Sequence, residues 1–226
     1  RWMTYSKESE MAQAQFKIQL HTGRYIDLAN IRDSFWHVDL QTIAWPLANI
    51  NRFTGHTSQR WSVAQHCLLG ALLLWKVGKP DAVVRGFLLH DKTEAFLNDL
   101  AAPIKRPMHD YRAYEGLVDA RLKQNFPETY KHLDTEGEMY IKRCDFDMLR
   151  VERLRFFSFN SGGADRPETE EDLEAWGFSL DEVRNFLLGY DFIMPAMTKL
   201  LEMNPQQVTD LFTMSYLNPE RLSVLL

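Results

Sequence analysis

From Asp39 onward the apolar residues of this chain recur three and four positions apart, a period that suits α-helices. Ile43, Leu47 and Ile50 begin the pattern. Pro46 lies inside it, so a kink or a late helix start is expected there. Residues 52–60 (RFTGHTSQR) read as a loop. Ser62 is a candidate N-cap, and Val63, His66, Cys67, Gly70, Leu73, Leu74 and Val77 share one face of the helix that follows. Gly78 and Pro80 punctuate the chain, and Asp81 opens a helix expected to run to about Leu97, with Val84, Phe87, Leu88 and Asp91 on one face. His90 and Glu94 stand one turn apart on a neighbouring face. Pro103 and Pro107 end the next loop. Residues 111–126 and 136–157 are helical again; in the second, Ile141, Cys144, Asp145 and Met148 share a face.

Residues 158–169 form the clearest loop in the chain. Beyond it, 180–188, 192–203 and 206–214 read as short helices. Residues 1–38 are mixed, and the segment 15–28 is irregular with a short hairpin. Strand signals are otherwise scarce, and there is no internal repeat. The expected class is all-α, in one domain over 1–226, with a core at about 40–157 and a helical extension at about 170–226. The Leu, Phe and Met stripes of that extension suit either extra core helices or a dimer contact.

Composition narrows the function classes. A chain of 226 residues can build a sizeable core, and the formal charge of −5 disfavours non-specific binding to duplex nucleic acid, which needs a dense basic surface. A small anionic substrate needs only a few local cations. The longest apolar run, from Leu68 to Trp75, is too short to span a bilayer, and RWMTYSKESE lacks the apolar stretch of a secretory signal. Cys67 and Cys144 both sit in apolar helical patterns, so they are expected as buried free thiols, which points to a reducing, cytoplasmic compartment.

Two histidines and two aspartates occupy inward-looking helical positions: His66, His90, Asp91 and Asp145. Unpaired imidazoles and carboxylates are costly to bury, so such groups need partners. One divalent cation would satisfy all four, and the mixed nitrogen and oxygen set suits several metals. Singly, each has a plainer reading: His66 as a core histidine bonded to a carbonyl, and Asp145 as a surface charge near Lys142 or Arg143. Asp147 competes with Asp145 for the same role.

The segments SVAQHCLLGALLL, FLLHDKTEAFLNDLAAPIK and YIKRCDFDMLRVE, taken in order, resemble the H…HD…D pattern of the HD-domain phosphohydrolase superfamily. The chain is most similar there to bacterial HD-domain 5′-deoxynucleotidases and to phage-encoded HD nucleotide phosphohydrolases. The likeness covers about residues 40–154, and its specificity lies in Glu94, Asp99 and Pro103-Ile104-Lys105 following the doublet at the family's spacing. It implies an HD-type helical bundle, with His66, His90, Asp91 and Asp145 as ligands of one divalent ion (Co, Mn, Mg, Zn, Ni or Fe). It also implies Glu94 as the catalytic carboxylate and Asp99 as a second active-site carboxylate.

Upstream, INRF at residues 50–53 resembles the family's INRW-like segment, which assigns Arg52 to the substrate phosphate and Phe53 to the sugar. Phenylalanine in place of tryptophan leaves more room at the sugar's 2′ position. Read alone, Phe53 is a core residue. GHT at 55–57 resembles the phage branch; His56 either reaches a phosphate or caps a turn. Arg60 and Lys105 are further phosphate candidates or ordinary surface charges.

The implied chemistry is in-line attack by a water that a cation acidifies from a pKa of 15.7 to about 7. Arg52 would clamp a phosphoryl oxygen, and Glu94 would position the water or protonate the leaving oxygen. The expected substrate is a small nucleotide, with no stable nucleic-acid or membrane partner, and the family's tendency suggests a homodimer. The leading activity is a 5′-nucleotidase on deoxynucleoside monophosphates, because residues 52–60 carry few cations. The alternatives are a deoxynucleoside triphosphate triphosphohydrolase and a non-catalytic nucleotide sensor.

Overall fold

The chain enters the computed structural model, which describes residues 17–157 and 179–226, as an antiparallel hairpin. Strands β1 (Lys17–Gln19) and β2 (Tyr25–Asp27) pair with Lys17 opposite Asp27 and Gln19 opposite Tyr25, the short hairpin expected of this segment. Helices then follow in order: α1 (Ile31–Ser34), α2 (Leu40–Asn49), α3 (Val63–Lys76), α4 (Asp81–Leu88), α5 (Glu94–Leu97), α6 (Ala102–Lys105), α7 (His109–Lys123) and α8 (Pro127–Tyr130). They continue with α9 (Thr135–Phe156), α10 (Leu180–Gly189), α11 (Ile193–Glu202) and α12 (Pro205–Leu217). Arg52–Gly55 and Pro219–Leu225 form 3₁₀ turns. The fold class is all-α, as the apolar period required. The loop expected at 158–169 and the start of the extension lie outside the described residues. No helix among the described residues is long and apolar enough to cross a membrane.

The expected cap at Ser62 forms in full. Its hydroxyl accepts from the Gln65 N–H, and the Gln65 side chain accepts from the Ser62 N–H at 2.7 Å, so two otherwise orphaned donors are satisfied. The helix it starts, α3, is buried on every side from Val63 to Leu74, not on one face only. The reason is tertiary: α2, α4, α9, α11 and α12 all pack on it. Val77, expected on the buried stripe, lies past the end of α3 and is exposed. Asp39 caps α2, which starts at Leu40 and runs through Pro46; a late start after the proline is therefore excluded.

Helix α4 stops at Leu88, nine residues short of the sequence expectation. The His90 imidazole explains the stop. Its Nδ1 lies 2.6 Å from the Phe87 carbonyl, and the following amides bond three residues back, Lys92 to Leu89 and Glu94 to Asp91. A side chain that competes for the last carbonyls tightens the chain into turns. His90 and Asp91 thus sit in a turn, and Glu94 begins the separate α5.

The close approach of α3 and α4 depends on Gly70. A Cβ there would lie 2.2 Å from Phe87 Cε1. Gly70→Ala is therefore expected to destabilise the protein by about 1–3 kcal/mol through overpacking. It should lower the urea midpoint without changing the slope; an unchanged midpoint would show that the two helices separate freely.

The C-terminal helices belong to the same core. Ile193, Ala196, Met197, Leu200, Val208 and Phe212 are fully buried, and Gln65 Nε2 of α3 donates to the Leu200 carbonyl at 2.6 Å. Their stripes thus serve as core helices. Both cysteines are buried free thiols, as expected.

Candidate metal centre

Four elements deliver the site. Helix α3 brings His66, the turn after α4 brings His90 and Asp91, α9 brings Asp145, and the 3₁₀ turn brings Arg52. His66 Nε2 lies 3.3 Å from His90 Nε2 and 3.1 Å from Asp145 Oδ1. His90 Nε2 lies 3.7 Å from Asp145 Oδ1 and 3.1 Å from Asp91 Oδ2. The first three residues form one donor group able to hold an ion. Asp91 joins through its contact with His90, and its Oδ2 also faces Arg52 Nη1 at 3.5 Å. His66 is fully buried, whereas the Asp145 side chain is 46% exposed, so the cluster opens to solvent at Asp145.

The tautomers follow from the partners. A carbonyl only accepts, so His90 Nδ1 donates to Phe87 O. His66 Nδ1 lies 2.6 Å from Glu152 Oε1, a buried carboxylate, and donates to it. In the neutral form both Nε2 atoms are then acceptors, facing each other beside two carboxylates. Four lone-pair donors in one place require a proton or a cation between them. Fixing each ligating imidazole through its other nitrogen is what metal-binding histidines generally do. Imidazole nitrogen with carboxylate oxygen suits Mn, Fe, Co, Ni or Zn.

The local fields agree with this. Burial lowers the His90 pKa, but Asp91, Cys67 and Asp145 outweigh it and carry it well above the usual histidine range. His66 rises as well: burial and Arg52 oppose its charge, while Glu152 and Asp145 favour it. Burial raises Asp91, yet His90, His66 and Arg52 bring it down to about 2. Asp145 is likewise held below the ordinary range, its burial outweighed by hydrogen bonds from both histidines.

A second donor group, Cys67 with His90 and Asp91, is a poorer fit. Cys67 Sγ approaches His90 at Nδ1, the nitrogen already committed to Phe87, and burial pushes the thiol up to about 11.

Glu152 is the residue that sequence reasoning missed. It is completely buried, accepts from His66 Nδ1 and from Trp61 Nε1 (2.8 Å) on one oxygen, and from Arg52 Nε (3.0 Å) on the other. Arg52 and Trp61 reach it together because the Arg52 N–H bonds the Trp61 carbonyl at 2.9 Å. Burial alone would raise the Glu152 carboxyl, but Arg52, His66 and Trp61 hold it low. The available signal was spacing: Glu152 follows Asp145 by seven residues, two turns along the same face of α9. Asp147, the competitor of Asp145, faces Arg143 at 3.2 Å and Arg150 at 3.7 Å instead.

Glu94 borders the cluster, with a buried Oε2 that finds no hydrogen-bond partner. Burial, then Asp91 and Asp99, pushes its carboxyl up to about 10. Asp99 is half-buried; burial raises its carboxyl, Asp91 adds to the rise, and Arg52 and His66 oppose it.

The remaining candidates divide. Arg52 lies in the site, and Phe53 stands beside it in a left-handed backbone conformation (φ 55°), a costly state for a non-glycine residue that clusters at functional sites. Its ring meets Phe157 edge-on at 5.3 Å and carries the Arg52 guanidinium at 5.6 Å. His56 is exposed, and its backbone N–H closes the turn on Phe53 O. Arg60 bonds the Ala48 carbonyl at the end of α2, and Lys105 pairs with Glu115 at 2.5 Å. These two cations have partners of their own.

No family model matches the chain. It is similar to the uncharacterized protein YfdR of Escherichia coli (strain K12), with 35% identity over 129 residues. The matched region takes in 57% of this chain and 65% of that relative, a little under two thirds of its length.

Proposed function

We propose that this chain is a metal-dependent phosphohydrolase of the HD-domain superfamily, acting on a nucleotide. The observation that carries the reading is the facing pair of Nε2 atoms, 3.3 Å apart, with Asp145 and Asp91 around them. Each imidazole is fixed by its other nitrogen, and only a cation or a proton satisfies such a set. His66, His90, Asp145 and Asp91 would hold the ion. A divalent cation there would supply Lewis acidity, drawing charge from a phosphoryl oxygen and acidifying a water molecule.

The protein's own groups complete the chemistry. Glu152 holds Arg52 by its Nε, which leaves the far edge of the guanidinium beside Asp91 to receive a phosphate oxygen. Glu94 has a buried oxygen with no partner, so it is free to handle a proton on the incoming water or the departing oxygen. Phe53, over Arg52, offers an apolar wall to the sugar. The reaction to test first releases orthophosphate from a deoxynucleoside 5′-monophosphate. Release of triphosphate from the corresponding triphosphate is the second reading, favoured by Lys92, Lys123 and Lys142 in the wall of a cavity that also includes His90 and Asp145.

The test is an assay of the purified chain with each nucleotide and added Mn, Co or Zn, separating orthophosphate from triphosphate. Turnover that a chelator abolishes and a metal restores is expected. Metal binding without turnover on either substrate would instead indicate a nucleotide sensor. Asp145→Ala is expected to lose the ion outright, checked by elemental analysis; full occupancy in that variant would sink the assignment.

A further inference from the structure

Among the described residues, Phe53, Thr54 and Asn98 are the non-glycines with a positive φ. Phe53 and Thr54, with ψ of 33° and 25°, occupy the ordinary left-handed helical region. Asn98 does not. Its φ of 68° with ψ of 160° falls where essentially only glycine goes, and such strain persists only where the surroundings over-determine it.

The surroundings do so here. Asn98 ends α5, the short helix that begins at Glu94, and its N–H donates to the Glu94 carbonyl at 2.9 Å. Phe96 anchors that helix on the buried Phe35, the two rings meeting edge-on at 5.1 Å. Tyr111 Oη donates to the Leu97 carbonyl at 3.4 Å. Past the strained residue, the Asp99 N–H donates to Asn98 Oδ1 at 3.0 Å. The chain therefore turns sharply between two carboxylates, and half-buried Asp99 lies within the fields of Glu94, Arg52, Asp91 and His66. An ordinary negative φ at Asn98 would swing Asp99 by roughly 130° about the N–Cα bond and carry it out of this group. A residue kept for the fold alone would be glycine, which meets no strain in such a turn.

We propose that Asn98 is a positioning residue: its strained backbone and its side-chain bond to the Asp99 N–H together hold the Asp99 carboxylate towards Arg52 and Asp91, where it orders the bound phosphate ester. The role rests on reading the His66–His90–Asp145 cluster as a hydrolytic centre.

The test uses the metal-loaded full chain with Asn98→Gly, Asn98→Asp and Asn98→Ala, each read for melting temperature and for orthophosphate release from a deoxynucleoside 5′-monophosphate. Glycine relieves the strain but frees Asp99. Melting is expected to rise by about 2–4 °C, while kcat falls by about fivefold to twentyfold at similar KM. Aspartate keeps an acceptor for the Asp99 N–H, and Asn98 is exposed, so the added charge is screened and most of kcat should return. Alanine keeps the strain without the bond, so stability and turnover should both fall. A purely structural role moves the two together in every variant. A more stable Asn98→Gly protein with wild-type kcat, or an Asn98→Asp protein no better than the glycine variant, would overturn the positioning role while the hydrolase reading stands. If the wild type hydrolyses no nucleotide, the hydrolase reading falls by itself, and calorimetric titration with the same monophosphate decides the rest. Weaker binding in Asn98→Gly would then keep the positioning role, and unchanged or absent binding would end it.

Discussion

Glu94→Gln protein is expected to keep its metal and its fold while turnover falls by about 10²–10⁴-fold, the usual contribution of a positioned acid or base. The substitution preserves shape and removes only the capacity to exchange a proton. Glu94 is not a member of the donor group around His66, His90 and Asp145, so elemental analysis should return the wild-type metal content. Stability separates this from trivial damage. Glu94 Oε2 is buried without a partner, and an unsatisfied buried polar atom costs about 1–3 kcal/mol. The variant should therefore unfold no earlier than the wild type. A site that tolerates such a cost in order to work is the common trade of activity against stability. Wild-type turnover in the Gln variant would refute the role given to Glu94 while leaving the metal centre intact.

Glu152→Ala should have the largest effect on the fold. Its carboxylate is the one acceptor shared by Arg52, His66 and Trp61, and it is fully buried. Removing one partner of a buried ionic network leaves the other charges uncompensated, at a cost of about 3–5 kcal/mol. Stability of a domain is only about 5–15 kcal/mol, so this is a large fraction of the whole. His66 would also lose the bond that fixes its ring, and loss of such supporting bonds typically weakens metal affinity by about 10–100-fold. Glu152→Gln retains an acceptor for the Trp61 and His66 protons and should recover part of both losses. The checks are a urea midpoint and a metal titration on the same samples. An unchanged midpoint in the Ala variant would show that Arg52 and His66 find other partners.

Local order determined much of this protein. The apolar period from Asp39 gave the helices of the second half close to their observed ends, and Ser62 marked the start of α3 because a cap is a contact within one turn. The residues of the centre were legible for a related reason: His66, His90, Asp91 and Asp145 are polar groups on apolar faces, a conflict visible in one dimension. What remained hidden depends on contacts between distant segments. The early end of α4 follows from the His90 imidazole bonding Phe87 O, which helical periodicity does not register. Glu152 looked like one more charge on a charged helix until Arg52, a hundred residues away, and Trp61 were brought against it. Lys92, Lys123 and Lys142 line one cavity beside His90 and Asp145 although they lie on separate elements, a grouping that only packing creates. Burial and charge pairing are properties of the packed chain: whether a carboxylate lies in water or beside a guanidinium is decided only when remote helices meet.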